Sequence, residues 1–312
     1  MTLATTEPTP WEEPSTWLRE PLYTLAFRRG LERHRRATPR AISPTVGTPT
    51  GATPDELWRS LCAALSRRSN LRTLELDLAG KAGQRARDYW RRFSRHYRKV
   101  GAAREKALEH ALTFELMDLS RARRYCDVAS AKSPIQHALR AEYPALDLYR
   151  QDLLYETDLS RRIIGGYAQN MTQIADGFFD ALALHCSFEH FAGSSDVEFV
   201  SEVDRVLGSR GACLILPLYM ANEHRVYFDP SIVPPGQLAS YDDGARLCAA
   251  WHYRQHHGRF YSPEALGARL LAAVPSGLSA TLLHFVNGQS IDPSVYLRFG
   301  LVLHRPESIL TI

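Results

Sequence analysis

The 312-residue chain is 45% hydrophobic and 23% charged, the balance of a globular protein with a real core, which excludes a disordered or collagen-like chain. It has no 18-residue apolar run and no signal-peptide pattern, so the sequence predicts neither membrane spanning nor secretion and places the protein in the cytoplasm. The formal charge of +4 is uneven: residues 1–110 hold 21 Lys/Arg against 12 Asp/Glu, and residues 111–312 hold 17 against 22.

A basic third can mark a nucleic-acid surface. Here Arg interleaves with Glu over helical faces, so a solvated surface is preferred and nucleic acid is disfavoured as a partner. Five cysteines (Cys62, Cys126, Cys186, Cys213, Cys248) lie far apart with no CxxC pair, which predicts free thiols in a reducing compartment.

Residues 1–54 are rich in Pro, Thr, Ser and Arg, and Pro39, Pro44, Pro49 and Pro54 interrupt the run 37–54. The segment reads as a draped arm or linker. Helical period begins at Asp55, with Thr53 as the start signal and Leu57, Trp58, Leu61 and Leu65 on one side. A long Arg-rich helical stretch from about Gly83 to Leu119 carries Tyr89, Trp90, Phe93, Tyr97, Leu108, Leu112 and Leu116. Aromatics at three- and four-residue spacing fit a core-facing stripe better than an RNA-stacking surface, and 55–120 is read as a helical N-terminal region.

From Arg123 short apolar runs alternate with helices, the pattern of βαβ units and an α/β class. Strands are predicted at 125–130, 146–152, 162–166, 178–184 and 212–218, with helices at 134–142 and 196–207. A long insertion, 219–261, precedes a helix at 263–273 capped by Ser262, and strands at 280–286 and 297–304 close the chain.

The most informative stretch is a buried strand bearing Phe179-Asp180, then His185 and Cys186, then Ser187-Phe188-Glu189-His190. A helix closing on Glu202-x-x-Arg205-Val206-Leu207 and a turn at Gly211 follow. Together with Asp127-Val128-Ala129-Ser130-Ala131 after the first strand, this order resembles class I S-adenosyl-L-methionine (SAM)-dependent methyltransferases over residues 121–312. The resemblance implies a Rossmann-like, seven-stranded, mostly parallel sheet in a three-layer α/β/α arrangement, with an N-terminal helical extension. It also implies SAM as cofactor.

Carried over residue by residue, the resemblance has Asp127 accept from the cofactor's ammonium group and the backbone of Ala129, Ser130 and Ala131 line its sugar and amino-acid portions. Alanine and serine stand where glycines are usual, which costs clearance and makes positive φ harder. Asp152, preferred over Asp147, would accept the ribose hydroxyls. Tyr167 replaces the family's aspartate near adenine, leaving the Ala168 backbone and Gln169 for that role. A nicotinamide enzyme would need G-x-G-x-x-G, which is absent.

His185, at the strand end, is the candidate base for an oxygen or nitrogen acceptor and also borders the cofactor. Glu189 would orient it or bind the acceptor, with His190 next in line; both read equally well as braces of the loop. His252 and His256 could share a metal only on a helix, and no third ligand at motif spacing accompanies them, so no metal site is assigned. The insertion 219–261 would cover the acceptor, and the basic helices would pack over the cofactor cleft or mediate a homodimer.

The expected activity is methyl transfer to an O or N atom of a small molecule or glycan intermediate. The alternative is a catalytically inactive binding or scaffold protein of the same fold. An RNA-modifying enzyme rests on the basic N-terminal region alone.

Overall fold

The computed structural model describes residues 21–45, 53–65, 71–131, 133–234 and 236–312. Contacts divide the chain into two units. The larger comprises residues 65–188, 195–218 and 267–312, and the smaller takes the residues up to 64 together with 189–194 and 219–266.

The predicted arm contains structure. Helix α1 (Pro21–Ala37) buries Phe27 and Leu31 in the core of the smaller unit, and strand β1 (Ile42–Thr45) follows it. Pro44 sits in a strand because β1 has a neighbour on one side only, leaving its other edge unpaired. The rest of the predicted arm, 1–20 and 46–52, lies outside the described residues.

Helix α2 (Pro54–Leu65) starts on a capping box: Glu56 N donates to Thr53 Oγ1 at 3.3 Å, and Thr53 N donates to Glu56 Oε2 at 2.7 Å.

The helical reading of 55–120 needs one correction. Leu71–Asp77 is a strand, β2, pairing in parallel from Leu71↔Ala280 to Asp77↔Val286. Leu74-Glu75-Leu76-Asp77 alternates with period two, and a seven-residue strand was hidden between longer helical runs. The Arg-rich stretch is two helices, α3 (Lys81–Phe93) and α4 (Ala103–Leu116), separated by a 3-10 turn over Ser94–Tyr97 and by Ala102 at φ 48°. Tyr89, Phe93 and Tyr97 are buried in the larger unit's core, as the stripe reading expects.

Then follow β3 (Arg124–Val128), α5 (Ile135–Glu142), β4 (Asp147–Asp152), β5 (Ile163–Gly165), β6 (Phe179–His185), α6 (Ser195–Val206) and β7 (Leu207–Leu216). Gly211 makes no turn; it lies within β7, whose register against β6 shifts between Phe179 and Ala181.

The larger unit's sheet is completed by β11 (Ser279–Val286) and β12 (Phe299–His304), labelled after three strands of the smaller unit, β8 (Arg225–Phe228), β9 (Arg246–Ala250) and β10 (Gly258–Phe260). Its order is β2-β11-β12-β7-β6-β3-β4-β5, eight strands where seven were predicted, the addition being β2. Only β12 runs antiparallel to its neighbours. Both faces are covered, as a parallel sheet requires. Ala181, Ala183, Leu214 and Leu216 pack with α3, α4 and α5, while the alternate residues Leu182, Leu184, Cys213 and Ile215 are equally buried.

The insertion folds as a sheet of order β1-β9-β8-β10 with its own core of Val226, Phe228, Leu247 and Ala249. Ser262 caps the next segment, accepting from Ala265 N at 3.1 Å. That segment is one α-turn, α7 (Pro263–Ala265), then a π-turn over Leu266–Leu270 and a 3-10 turn over Leu271–Ala273. None of the five cysteines is in a disulfide, and no described helix is long and apolar enough to cross a membrane.

Candidate functional site

Within the larger unit, β3 and β6 are parallel neighbours whose carboxyl ends lie side by side, the position where open α/β sheets bind ligands. A cavity of about 250 Å³ opens there. Asp127 and the Ala129–Ala131 turn line one part of it, His185 and Cys186 another, and Lys106 and His110 of α4 a third.

Asp127, the penultimate residue of β3, is 1% exposed. Its Oδ1 lies 3.6 Å from His185 Nδ1, and its Oδ2 is buried with no hydrogen-bond partner among the described residues. His185 Nε2 pairs with Thr113 Oγ1 at 2.9 Å, and its carbonyl accepts from Lys106 Nζ at 2.7 Å. Both ring nitrogens of His185 therefore face protein groups, one of them the carboxylate on the β3 side.

The turn after β3 holds the conformation usually reserved for glycine. Ala129 has φ 49° and Ala131 φ 38°, both left-handed. Hydrogen bonds to the end of β4 keep it there. Ala129 N donates to Gln151 Oε1 at 3.1 Å, Ser130 N to Gln151 O at 3.0 Å and Ala131 N to Asp152 Oδ2 at 2.6 Å. The Tyr155 hydroxyl donates to the Ala131 carbonyl. Asp152 Oδ1 accepts from Leu154 N at 2.9 Å, so both oxygens of this carboxylate already hold backbone amides.

Numbered from β3, the sheet reads 3-2-1-4-5, and its final antiparallel strand is wedged between the fifth and sixth. This is the strand order that the resemblance to class I methyltransferases implies.

No protein-family model and no curated protein sequence matches the chain. Among solved structures it is similar to Burkholderia thailandensis 1,6-didemethyltoxoflavin-N1-methyltransferase, with bound 1,6-didemethyltoxoflavin and S-adenosylhomocysteine. That match is 15% identical and covers 86% of this chain and 96% of the other, with a TM-score of 0.39. An O-methyltransferase family protein from the same organism is 15% identical over 73% of this chain and 70% of its own, TM-score 0.38. A possible histamine N-methyltransferase from Thermotoga maritima is 12% identical over 72% and 98%, TM-score 0.40. At that level of likeness the strand order, not the neighbours, defines the fold.

Several residues of the motif that carries the resemblance have structural work. Arg205 donates to both oxygens of Glu202 and to the carbonyls of Met171 and Ile174, while Met171 N donates to Glu202 Oε1 at 2.6 Å. The Glu-x-x-Arg spacing thus clamps the 171–176 loop onto α6. Asp180 Oδ2 accepts from the amides of Arg123 and Arg124, pinning the start of β3.

Tyr167 is 62% exposed, whereas Ala168 is buried, and Gln169 Nε2 donates to Ser195 Oγ at 2.9 Å.

Glu189 and His190 belong to the smaller unit. There His190 Nδ1 pairs with the His257 carbonyl at 2.6 Å, and His257 Nδ1 with the Glu189 carbonyl at 2.9 Å. Arg259, fully buried, binds both oxygens of Asp242 at 2.6 and 2.7 Å and donates to the carbonyls of Phe191 and Gly193. The segment bearing His252 and His256 is not helical: His252 stacks on Tyr23 at 4.3 Å, and His256 Nδ1 lies 3.4 Å from Gln237 Oε1.

Sequence reasoning set the basic helices over the cofactor cleft or at a dimer, but named no residue of α4 for the site. Cys186 Sγ donates to Glu109 Oε1 at 2.8 Å, and Glu105 Oε2 accepts from Tyr296 N at 3.0 Å. Burial, then the nearby Glu109, pushes Glu105 up to about 8. Burial also holds His110 well below the ordinary histidine range, helped by His185 and Lys106. The available signal was a helix with apolar residues on every side, whose Glu105, Lys106, Glu109 and His110 had to meet polar groups inside the protein.

Proposed function

We propose that the larger unit binds SAM and transfers its methyl group to an O or N atom of a small molecule or glycan intermediate. The observation that carries this reading is the buried Oδ2 of Asp127, unpartnered among the described residues, beside a turn that keeps left-handed φ at two alanines. A buried carboxylate oxygen without a donor is costly unless a ligand supplies one. The cofactor's ammonium group fits that need.

When bound, SAM supplies the electrophilic methyl for an in-line displacement. Asp127 holds the ammonium end, and the amides and carbonyls of Ala129–Ala131 border the amino-acid and sugar portions. Asp152 accepts the ribose hydroxyls in exchange for the Ala131 amide it now holds. Ala168 and Gln169 serve the adenine end. His185, which borders the cavity with Nδ1 3.6 Å from Asp127 Oδ1, is the candidate to take a proton from an acceptor. For Glu189 and His190, the reciprocal main-chain bonds with His257 support a bracing role.

One observation favours the second reading, an inactive binding protein of the same fold: both Asp152 oxygens are engaged by backbone amides, and Tyr155 closes on Ala131.

Calorimetry with SAM and S-adenosylhomocysteine separates the two. The enzyme reading expects binding that Asp127→Ala weakens at least about tenfold, the loss of one charge-assisted contact, with a smaller loss in Asp152→Ala. A wild-type protein that binds neither ligand at millimolar concentration ends the enzyme reading.

A further inference from the structure

Tyr89 and Tyr97, buried in the larger unit, form a hydrogen-bonded chain that leads to the cavity. Tyr89 Oη lies 2.8 Å from Tyr97 Oη, Tyr97 Oη 2.5 Å from His110 Nδ1, and His110 Nε2 3.4 Å from Ser133 Oγ. Tyr89, Tyr97 and His110 are 5%, 1% and 0% exposed. Burial raises both phenols, so each keeps its proton, and burial keeps His110 neutral.

Three protons must therefore be placed along the chain, and only one direction places them all. If His110 carried its proton on Nδ1, it would donate to Tyr97, Tyr97 would donate to Tyr89, and the Tyr89 hydroxyl proton would point into the core with no acceptor among the described residues. In the opposite direction Tyr89 donates to Tyr97, Tyr97 donates to His110 Nδ1, and the imidazole proton sits on Nε2. Buried donors are seldom left unsatisfied, so the second arrangement prevails.

The Nε2–H then points to the cavity side, where Ser133 Oγ at 3.4 Å is a distant partner. Across the same cavity lies the unpartnered Asp127 Oδ2, and Lys106 stands one helical turn before His110. A ligand group complementary to these atoms has a cationic end for Asp127 and an acceptor end for His110. An α-amino acid has both.

We propose that the Tyr89–Tyr97 chain locks His110 as the Nε2–H tautomer, making it a fixed, neutral donor to the carboxylate at the α-amino-acid end of the bound cofactor. This inference rests on the SAM reading for its ligand, but not for the tautomer. His110 is a binding residue in this scheme; Tyr89 and Tyr97 are positioning residues that act through it.

Two measurements test it. In ¹⁵N ring spectra of the ligand-free wild-type protein at neutral pH, His110 should show a bare Nδ1 and a protonated Nε2. A protonated Nδ1, in the other tautomer or in an imidazolium, overturns the lock.

Calorimetry then compares S-adenosylhomocysteine with 5′-methylthioadenosine, which keeps the nucleoside thioether and lacks the amino-acid end. His110→Ala should weaken the first about 10- to 100-fold and leave the second unchanged, the size of one hydrogen bond to a charged group. The near-isosteric Tyr97→Phe should show the same selectivity with a smaller loss, and it decides the matter if His110→Ala does not fold. Equal losses for both ligands, or none, overturn the role given to His110. A wild-type protein that binds neither ligand overturns the SAM reading instead, and the carboxylate assignment falls with it.

Discussion

Ala131 carries a methyl group at φ 38°, where L-residues pay about 1 kcal/mol that glycine does not. Ala131→Gly is therefore expected to stabilise the protein by about 0.5–1 kcal/mol, read from the urea midpoint, and to raise S-adenosylhomocysteine affinity by clearing space at the turn. An alanine variant already free of strain would show the opposite sign, because glycine loses more entropy on folding. At His185 the placement of Nδ1 3.6 Å from Asp127 leads to a second expectation. His185→Ala should lower S-adenosylhomocysteine affinity by only about two- to fivefold, the worth of a polar contact beyond hydrogen-bond distance. Unchanged affinity with slowed single-turnover methyl transfer would instead assign His185 to proton removal alone.

At the scale of elements, α4 has the largest effect on the site, and it was the hardest to read. Asp127, His185 and the Ala129–Ala131 turn were legible because a short buried apolar run ends at each, and strand ends are where ligands bind. The α4 residues that line the cavity were not, although the basic helices were expected over the cleft, since nothing in local sequence says which side chains of a buried helix will face which strand ends. Strand β2 was missed for a related reason: its partner β11 lies about 200 residues away, and pairing across that distance leaves no local trace. The edge strand β1 was missed because prolines on either side of it resemble a linker.

The burial of α4 has a measurable consequence. Glu105, held near 8 against an ordinary value of 4.5, keeps its proton in the folded state while the unfolded chain loses it. Its contribution is fully present below about pH 4.5 and is lost as pH rises towards 8. Glu105→Gln should remove that slope and exceed wild-type stability at pH 8 by about 2–4 kcal/mol in urea unfolding. Parallel wild-type and variant curves across that range would show that Glu105 ionises normally.

Across the whole molecule, buried histidines set the acid limit. His257, in the smaller unit, is lowered to about 3 by burial, with Arg259 the next cause. A depressed histidine contributes stability that is complete above the unfolded value of about 6.5 and is lost as pH falls towards 3, about 2 kcal/mol by pH 5. His257→Gln should flatten that part of the profile, and an unchanged acid slope would exclude His257 as its source. Together with Glu105, this places maximal stability at about pH 4.5–6.5, where the two slopes cancel.

The class of the fold was legible because seven apolar runs in the right order constrain an α/β sheet tightly. That the insertion and the N-terminal segment share one small sheet was not, since β1 and β9 are about 200 residues apart. The central claim, that the β3–β6 cavity holds the cofactor through Asp127, is met most directly by thermal unfolding with S-adenosylhomocysteine. At about 100 times its Kd the ligand should add about 2.7 kcal/mol and raise the wild-type Tm by roughly 4–8 °C, with little shift in Asp127→Ala at the same concentration. A wild-type Tm that does not move at millimolar ligand would contradict it.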